Sequence, residues 1–269
     1  MKKNTPHEIA ELPIMKNYLP KWKVWEGLRE IVQNGLDEQT QHGNSVSISY
    51  DSFNHKLIVR NHGATLDPRA FLFGYTSKAG DEKTIGQYGE GLKLGVLALV
   101  RAKKNVIITV GRDAWVAGFQ RSKKFKATIL TFTIYKNVRD AADADDVAVI
   151  IEGVSQKECD TMRSRIIPLM PVQPTAVGGS SFHGSVLTDP KQRGRLYVKG
   201  IWVCNKKDVA FGYNFSGNVE VNRDRDFIAD WEVGYHASEA IAAALITNKD
   251  DKKLLRRVYE ILKGGRRGT

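Results

Sequence analysis

Between residues 24 and 41, Val24, Leu28, Ile31, Val32 and Leu36 recur at the spacing that lines one face of a helix. Gly43 follows as a stop signal. Residues 45–50 and 56–60 then read as two strands joined through 51–55, a hairpin. From Gly63 to Gly91 glycines punctuate a long loop, and Leu92, Val96, Leu99 and Val100 mark a second helix over 91–101. Residues 105–111, 114–120 and 126–135 read as strands, and the wholly apolar Val147–Ile151 as a buried one. Ser155, with Glu158 three residues on, is placed to cap a helix over 155–167. Residues 1–20, broken by Pro6, Pro13 and Pro20, read as an extended lead-in.

The stretch 168–184 is rich in Pro, Gly, Ser and Thr. It suggests a core over 1–170, a loop or boundary at 171–190 and a C-terminal β/α extension over 191–269. In that extension 195–203 and 209–215 read as a strand pair, and 231–245 and 252–262 as helices. Strands and helices intermingle, which predicts a layered α/β or α+β sandwich.

Composition narrows the picture. Of 269 residues, 42% are hydrophobic and 26% charged, which suits a folded domain and not a disordered chain. No apolar run reaches the roughly 18 residues of a membrane helix, and no apolar stretch follows the basic start, so a cytoplasmic setting (nuclear in a eukaryote) is expected. Cys159 and Cys204 lack metal-type spacing and read as reduced thiols. The net charge of +11 favours polyanionic partners, nucleic acid or an acidic protein, although the basic residues are spread along the chain as they would be on a solvated surface.

Two patterns carry chemistry. On the first helix Glu30, Asn34 and Asp37 fall within roughly 60° of one another, away from the apolar set. A carboxylate there can orient and deprotonate a water, and an amide oxygen beside it is a hard ligand suited to Mg²⁺. A plain solvated face would look the same. The second pattern is Gly86-Gln87-Tyr88-Gly89-Glu90-Gly91, opening onto the second helix with Lys93 close behind. Glycines let backbone approach a ligand, and a helix start offers amides to phosphate. It matches neither the dinucleotide fingerprint nor a P-loop.

Together these pieces resemble the GHKL ATPases, the superfamily of DNA gyrase B, heat-shock 90-type chaperones, histidine kinases and MutL. Glu30–Glu38 is similar to the E-x-x-x-N-x-x-D box. Val59-Arg60-Asn61-His62-Gly63-Ala64-Thr65 looks like the D-x-G-x-G box. Thr76-Ser77-Lys78 and Ile85–Lys93 look like the lid and second glycine box. The last string is closest to the MORC-type and heat-shock 90-type branches. The resemblance covers residues 24–100 and is weak beyond about 155.

The resemblance implies a Bergerat fold: a mixed sheet with helices on one face, holding ATP and Mg²⁺. It makes Glu30 the general base and Asn34 the Mg²⁺ ligand, with Asp37 supporting the metal or ribose side. Asn61 and Gly63 would meet the base, Gly86, Gly89 and Gly91 the phosphates, and Lys78 and Lys93 would be phosphate neighbours. It implies an ATPase acting as a conformational switch, with a lid over 73–90 and ATP-dependent homodimerisation as a further expectation. The alternative is a non-hydrolysing nucleotide-binding module with a basic partner surface. A kinase reading lacks a visible acceptor.

The sequence departs from the pattern at two places. Asn61 stands where the family has Asp. It keeps an acceptor oxygen but loses the charge, a weakening of about 1 kcal/mol. Turned over, its amide would donate, so guanine stays open beside the favoured adenine. Thr65 replaces the box's last glycine, which puts the turn geometry in question. Lys199, Lys206, Arg223 and Arg225 are candidates for a cation reaching the γ-phosphate.

Overall fold

The computed structural model describes residues 5–66, 90–138 and 145–265. Two compact units divide between Met162 and Arg163. The first contains β1 (Glu8–Met15), α1 (Val24–His42), β2 (Val46–Asp51), β3 (Lys56–His62), α2 (Gly91–Arg101), β4 (Asn105–Val110), β5 (Asp113–Arg121), β6 (Thr128–Tyr135) and β7 (Asp146–Glu152). Helix α3 (Gln156–Arg165) crosses the division. Seven strands form one sheet in the order β1-β6-β5-β4-β7-β3-β2, each neighbouring pair antiparallel.

Most elements follow the hydrophobic pattern. The hairpin forms with Ile48 opposite Val59. The apolar run of β7 lies between β4 and β3, where Ala148, Val149 and Ile151 are buried. At the start of α3, Ser155 N–H donates to Glu158 Oε2 at 2.8 Å, and Glu158 N–H donates back to Ser155 Oγ at 3.3 Å. The lead-in differs from expectation. Glu8–Met15 pairs with β6 as an edge strand, and its register slips between Leu12 and Met15, around Pro13. Proline lacks the N–H a ladder needs and is tolerated at an edge or bulge, so it did not prevent a strand.

Helix α1 begins where the Glu26 carboxylate accepts the Lys23 N–H at 2.7 Å. It ends at Gly43, whose φ of 72° is left-handed and whose N–H reaches Gln39 O. Leu28, Ile31 and Val32 are buried. Two glycines bring α1 and α2 close. A Cβ on Gly27 would stand 2.6 Å from Leu99 Cγ, and one on Gly95 would stand 3.1 Å from Gly27 O. A third, Gly35, sets α1 on the sheet, where a Cβ would meet Val59 Cγ1 at 2.9 Å.

The other end of α2 holds the chain entering α1. The Arg101 guanidinium donates to the carbonyls of Lys16, Tyr18, Leu19 and Trp22 at 2.5–3.2 Å.

The second unit contains β8 (Ala176–Ser180), β9 (Gly184–Leu187), β10 (Arg195–Val198), β11 (Ile201–Asn205), β12 (Gly212–Phe215), α4 (Asp230–Thr247) and α5 (Lys252–Gly265). Its sheet runs β11-β10-β12-β9-β8, with β10 and β12 parallel. Leu196, Val198, Tyr213 and Phe215 pack with Val233, Ala237, Ala240, Leu254 and Val258. The single strand expected over 195–203 is two strands. Lys199 (φ 48°) and Gly200 (φ 80°) are consecutive left-handed residues, and they turn the chain back as a tight hairpin. Within 171–190, where a loop or boundary was expected, the chain forms β8 and β9. Gly178 there has a φ of 70°, and a Cβ on it would overlap the backbone of Ala244 in α4. The glycine that made the segment read as loop serves the approach of a helix. Both cysteines are free, Cys159 buried and Cys204 half-buried. Among the described residues no helix is long and apolar enough to cross a membrane.

Arg101→Ala removes the donor shared by four carbonyls. We expect a loss of about 2–3 kcal/mol in urea unfolding, the scale of hydrogen bonds to a charged group. An unchanged midpoint would show that these bonds are not stabilising.

Candidate functional site

The polar face of α1 is not a solvated one. Glu30 is 2% exposed and Asp37 1% exposed. Burying a carboxylate is costly unless it is paired, and Glu30 has a partner that the sequence reading missed. Arg29 Nη2 lies 2.9 Å and Nε 3.0 Å from Glu30 Oε1. The same guanidinium lies 5.3 Å from the Trp22 ring centroid. No sequence signal marked it: Arg29 belongs to no motif, and its burial shows only in the fold.

The second oxygen of Glu30 faces the first turn of α2. A Cβ on Gly91 would stand 2.5 Å from Glu30 Oε2 and 3.5 Å from Asn34 Nδ2. Only glycine leaves room for the carboxylate there. Glu90, the residue before α2, makes no side-chain cap, and Leu94 N–H is bonded to Glu90 O at 3.0 Å. The amides of Gly91 and Leu92 therefore belong to the set that a helix leaves without intrahelical partners. A carboxylate and a phosphate-type amide cluster thus meet at one place.

Asn34 donates from Nδ2 to Glu30 O at 2.7 Å. That bond ties the amide nitrogen to the helix backbone, and the amide also carries a hard oxygen. A hard oxygen of this kind fits Mg²⁺, which commonly takes its remaining ligands from phosphate and water. Among the described residues no cluster of three His, Cys, Asp or Glu could hold a metal unaided.

Strand β3 supplies the third wall. Leu57, Val59 and Asn61 alternate on its buried face, and Asn61 Nδ2 donates to Gly35 O at 2.8 Å. With the nitrogen committed to a carbonyl, the side chain presents its oxygen, an acceptor. Gly63 follows with a φ of 71°, its N–H on Asp145 O at 2.9 Å. Thr65 adopts no left-handed conformation, so the turn does not need a glycine there.

Lys93 is fully buried, and burial pushes its ammonium pKa down while Glu90 acts in the opposite direction. Lys78, Gly86, Gly89 and the lid over 73–90, Glu90 excepted, lie outside the described residues. Lys199, Lys206, Arg223 and Arg225 belong to the second unit. There Lys206 pairs with Asp230, and the Asn222 carboxamide oxygen accepts the N–H groups of Asp226 and Phe227, closing that charged run into a turn.

No family model matches the chain. Over 99 residues it is 26% identical to an uncharacterized protein of Mycoplasma pneumoniae, a match spanning 35% of this chain and 40% of that relative. In three dimensions it is similar to the ATPase region of Saccharomyces cerevisiae topoisomerase II. The TM-score is 0.52 at 12% identity, covering 89% of this chain and 86% of that one. The fold is that of the GHKL ATPases. The same region bound to ICRF-187 (dexrazoxane) gives a TM-score of 0.52 at 12% identity, covering 88% and 86%. The expected sandwich with the GHKL fold is therefore observed, whereas likeness to the MORC-type or heat-shock 90-type branch rests on sequence alone.

In Asn61→Asp a carboxylate would face the Gly35 carbonyl to which the amide now donates. Its folded-state pKa would lie above the unfolded value, so the stabilising protonated form is present at low pH and lost as pH rises through the folded pKa. We expect this variant to be about 1–3 kcal/mol less stable than wild type near neutral pH, with the gap narrowing in acid. A gap independent of pH in urea titrations would contradict the assigned bond.

Proposed function

We propose that this GHKL fold binds ATP with Mg²⁺ between α1, the first turn of α2 and the end of β3, and hydrolyses it. The observation that carries this reading is Glu30 Oε2 against Gly91, a buried carboxylate beside helix-start amides. Phosphoryl transfer to water asks mainly for positioning and neutralisation of charge.

Each described residue has a role suited to its geometry. Gly91 presents its amide to the phosphates and Lys93 adds positive charge nearby. By the resemblance Gly86, Gly89 and Lys78, which lie outside the described residues, would join them. Asn34 holds Mg²⁺ through its oxygen, with Asp37 supporting the metal or ribose side. Bound Mg²⁺ would neutralise phosphate charge. Asn61 accepts the adenine amino group through its oxygen, which disfavours guanine, whose carbonyl would meet that acceptor. Gly63 lets backbone approach the base. Glu30 orients the attacking water through Oε2 and takes its proton, while Arg29 fixes the carboxylate through Oε1.

The Arg29 pair also favours a second reading, a slow or non-hydrolysing nucleotide switch, because one oxygen of the base is already engaged. In either reading the net charge of +11 suits an acidic protein or nucleic acid as partner, and the I-G-Q-Y-G-E-G-L-K string supports the MORC-type or heat-shock 90-type branch.

Phosphate release by wild type and by Glu30→Gln separates the readings. We expect the variant to keep ATP affinity and lose about 10²–10⁴-fold in turnover. Equal rates would remove Glu30 as the base, and no turnover by wild type with clear binding would favour the switch without hydrolysis. Gly91→Ala should also lower turnover, by about 10²-fold, because its methyl displaces the carboxylate. Wild-type rates in that variant would show that the approach of Glu30 to Gly91 is not needed.

A further inference from the structure

We propose that α5 lies on the surface of an anionic phospholipid bilayer, with Leu255, Tyr259 and Leu262 entering the headgroup layer and the neighbouring bases meeting lipid phosphates. The starting point is how the helix divides its circumference. Leu254 and Val258 are buried in the core of the second unit. Beside them, within about 60° of one another, stand Leu262, Leu255 and Tyr259. These three are 41–67% exposed. Lys252, Lys263 and Arg256 occupy about the next 60°. The exposed apolar stripe is thus bordered on one side by the core and on the other by a row of cations.

The charge on α5 is not spent inside the protein. The helix carries Lys252, Lys253, Arg256, Arg257 and Lys263 against Glu260 alone. All five bases are exposed. Among the described residues none of these five side chains forms an ion pair, whereas Arg29, Arg60, Lys104, Lys136 and Lys206 each do. Asp251, just before the helix, caps it: its Oδ1 accepts the N–H groups of Lys253 and Leu254, both at 3.0 Å.

A surface of lipid headgroups accounts for both features. Clusters of Lys and Arg on an amphipathic helix are drawn to anionic lipid, and apolar side chains beside them enter the boundary between headgroups and acyl chains. Tyrosine suits that boundary, with an apolar ring and a polar tip. A nucleic acid would take the cations through its phosphates and leave the stripe in water. An acidic protein gripping the helix in a groove would have to reach faces that α5 keeps against its own unit, whereas a bilayer approaches from one side. Lying on a bilayer differs from crossing one, for which no described helix is long and apolar enough.

The test is co-sedimentation of the full chain with vesicles, without nucleotide, so that its result does not depend on the ATP reading. We expect binding to vesicles of equal parts phosphatidylcholine and phosphatidylglycerol, and little to phosphatidylcholine alone. Leu262→Glu and Arg256→Glu alter exposed positions, and circular dichroism checks their folding. Each should weaken binding by about tenfold or more, the first by losing an inserted side chain and the second by turning attraction into repulsion. Lys123→Glu, an exposed base in the turn between β5 and β6, should bind as wild type does. No binding by wild type would overturn the proposal. So would binding that Leu262→Glu leaves intact, because net charge alone would then explain it, or a loss in Lys123→Glu equal to that in Arg256→Glu. Failure on vesicles with binding to a short DNA duplex that Arg256→Glu weakens would overturn it in favour of nucleic acid.

Discussion

Everything at the site depends on how closely two helix backbones approach. Gly27 and Gly95 leave room for Leu99 and Glu30 where α1 and α2 meet, and that contact places Glu30 against Gly91. A methyl group at any of these positions would push the helices apart or turn the carboxylate away. The site is thus organised by three missing side chains as much as by the polar groups that line it. Gly35 extends the same logic to the sheet, since its approach to Val59 brings Asn61 within reach of the α1 backbone.

Burial then changes what the polar groups can do. Exposed to water, Glu30, Asn34 and Asp37 would be an ordinary hydrophilic face. Enclosed, each bond fixes an orientation: Arg29 holds one oxygen of Glu30, Glu30 O holds the nitrogen of Asn34, and Gly35 O holds the nitrogen of Asn61. Glu30, Asn34 and Asn61 each also carry an acceptor oxygen. A set of acceptors is poorly suited to bind an anion by itself, whereas helix-start amides are donors.

Much of the first unit was legible in the sequence because hydrophobic period and local signals agree there. The helices over 24–41 and 91–101 and the hairpin at 45–60 are examples. The box of Glu30, Asn34 and Asp37 was readable because helical spacing puts its members on one face. What escaped has physical causes. Arg29 belongs to no motif, and only its burial shows that it serves Glu30. Pro13 concealed an edge strand. Gly178 gave its segment the composition of a loop although it admits a helix, and Gly200 was read inside a single strand although it turns a hairpin. Spacing along a chain does not reveal which glycines permit contact and which merely bend.

Arg101 ties the end of α2 to four carbonyls in the segment that joins β1 to α1. Helix α2 is eleven residues long, about 16 Å. It therefore works as a short strut, with Glu30 at one end and the margin of the sheet at the other. Any axial displacement imposed on its first turn would act on the carbonyls that directly follow the first described strand.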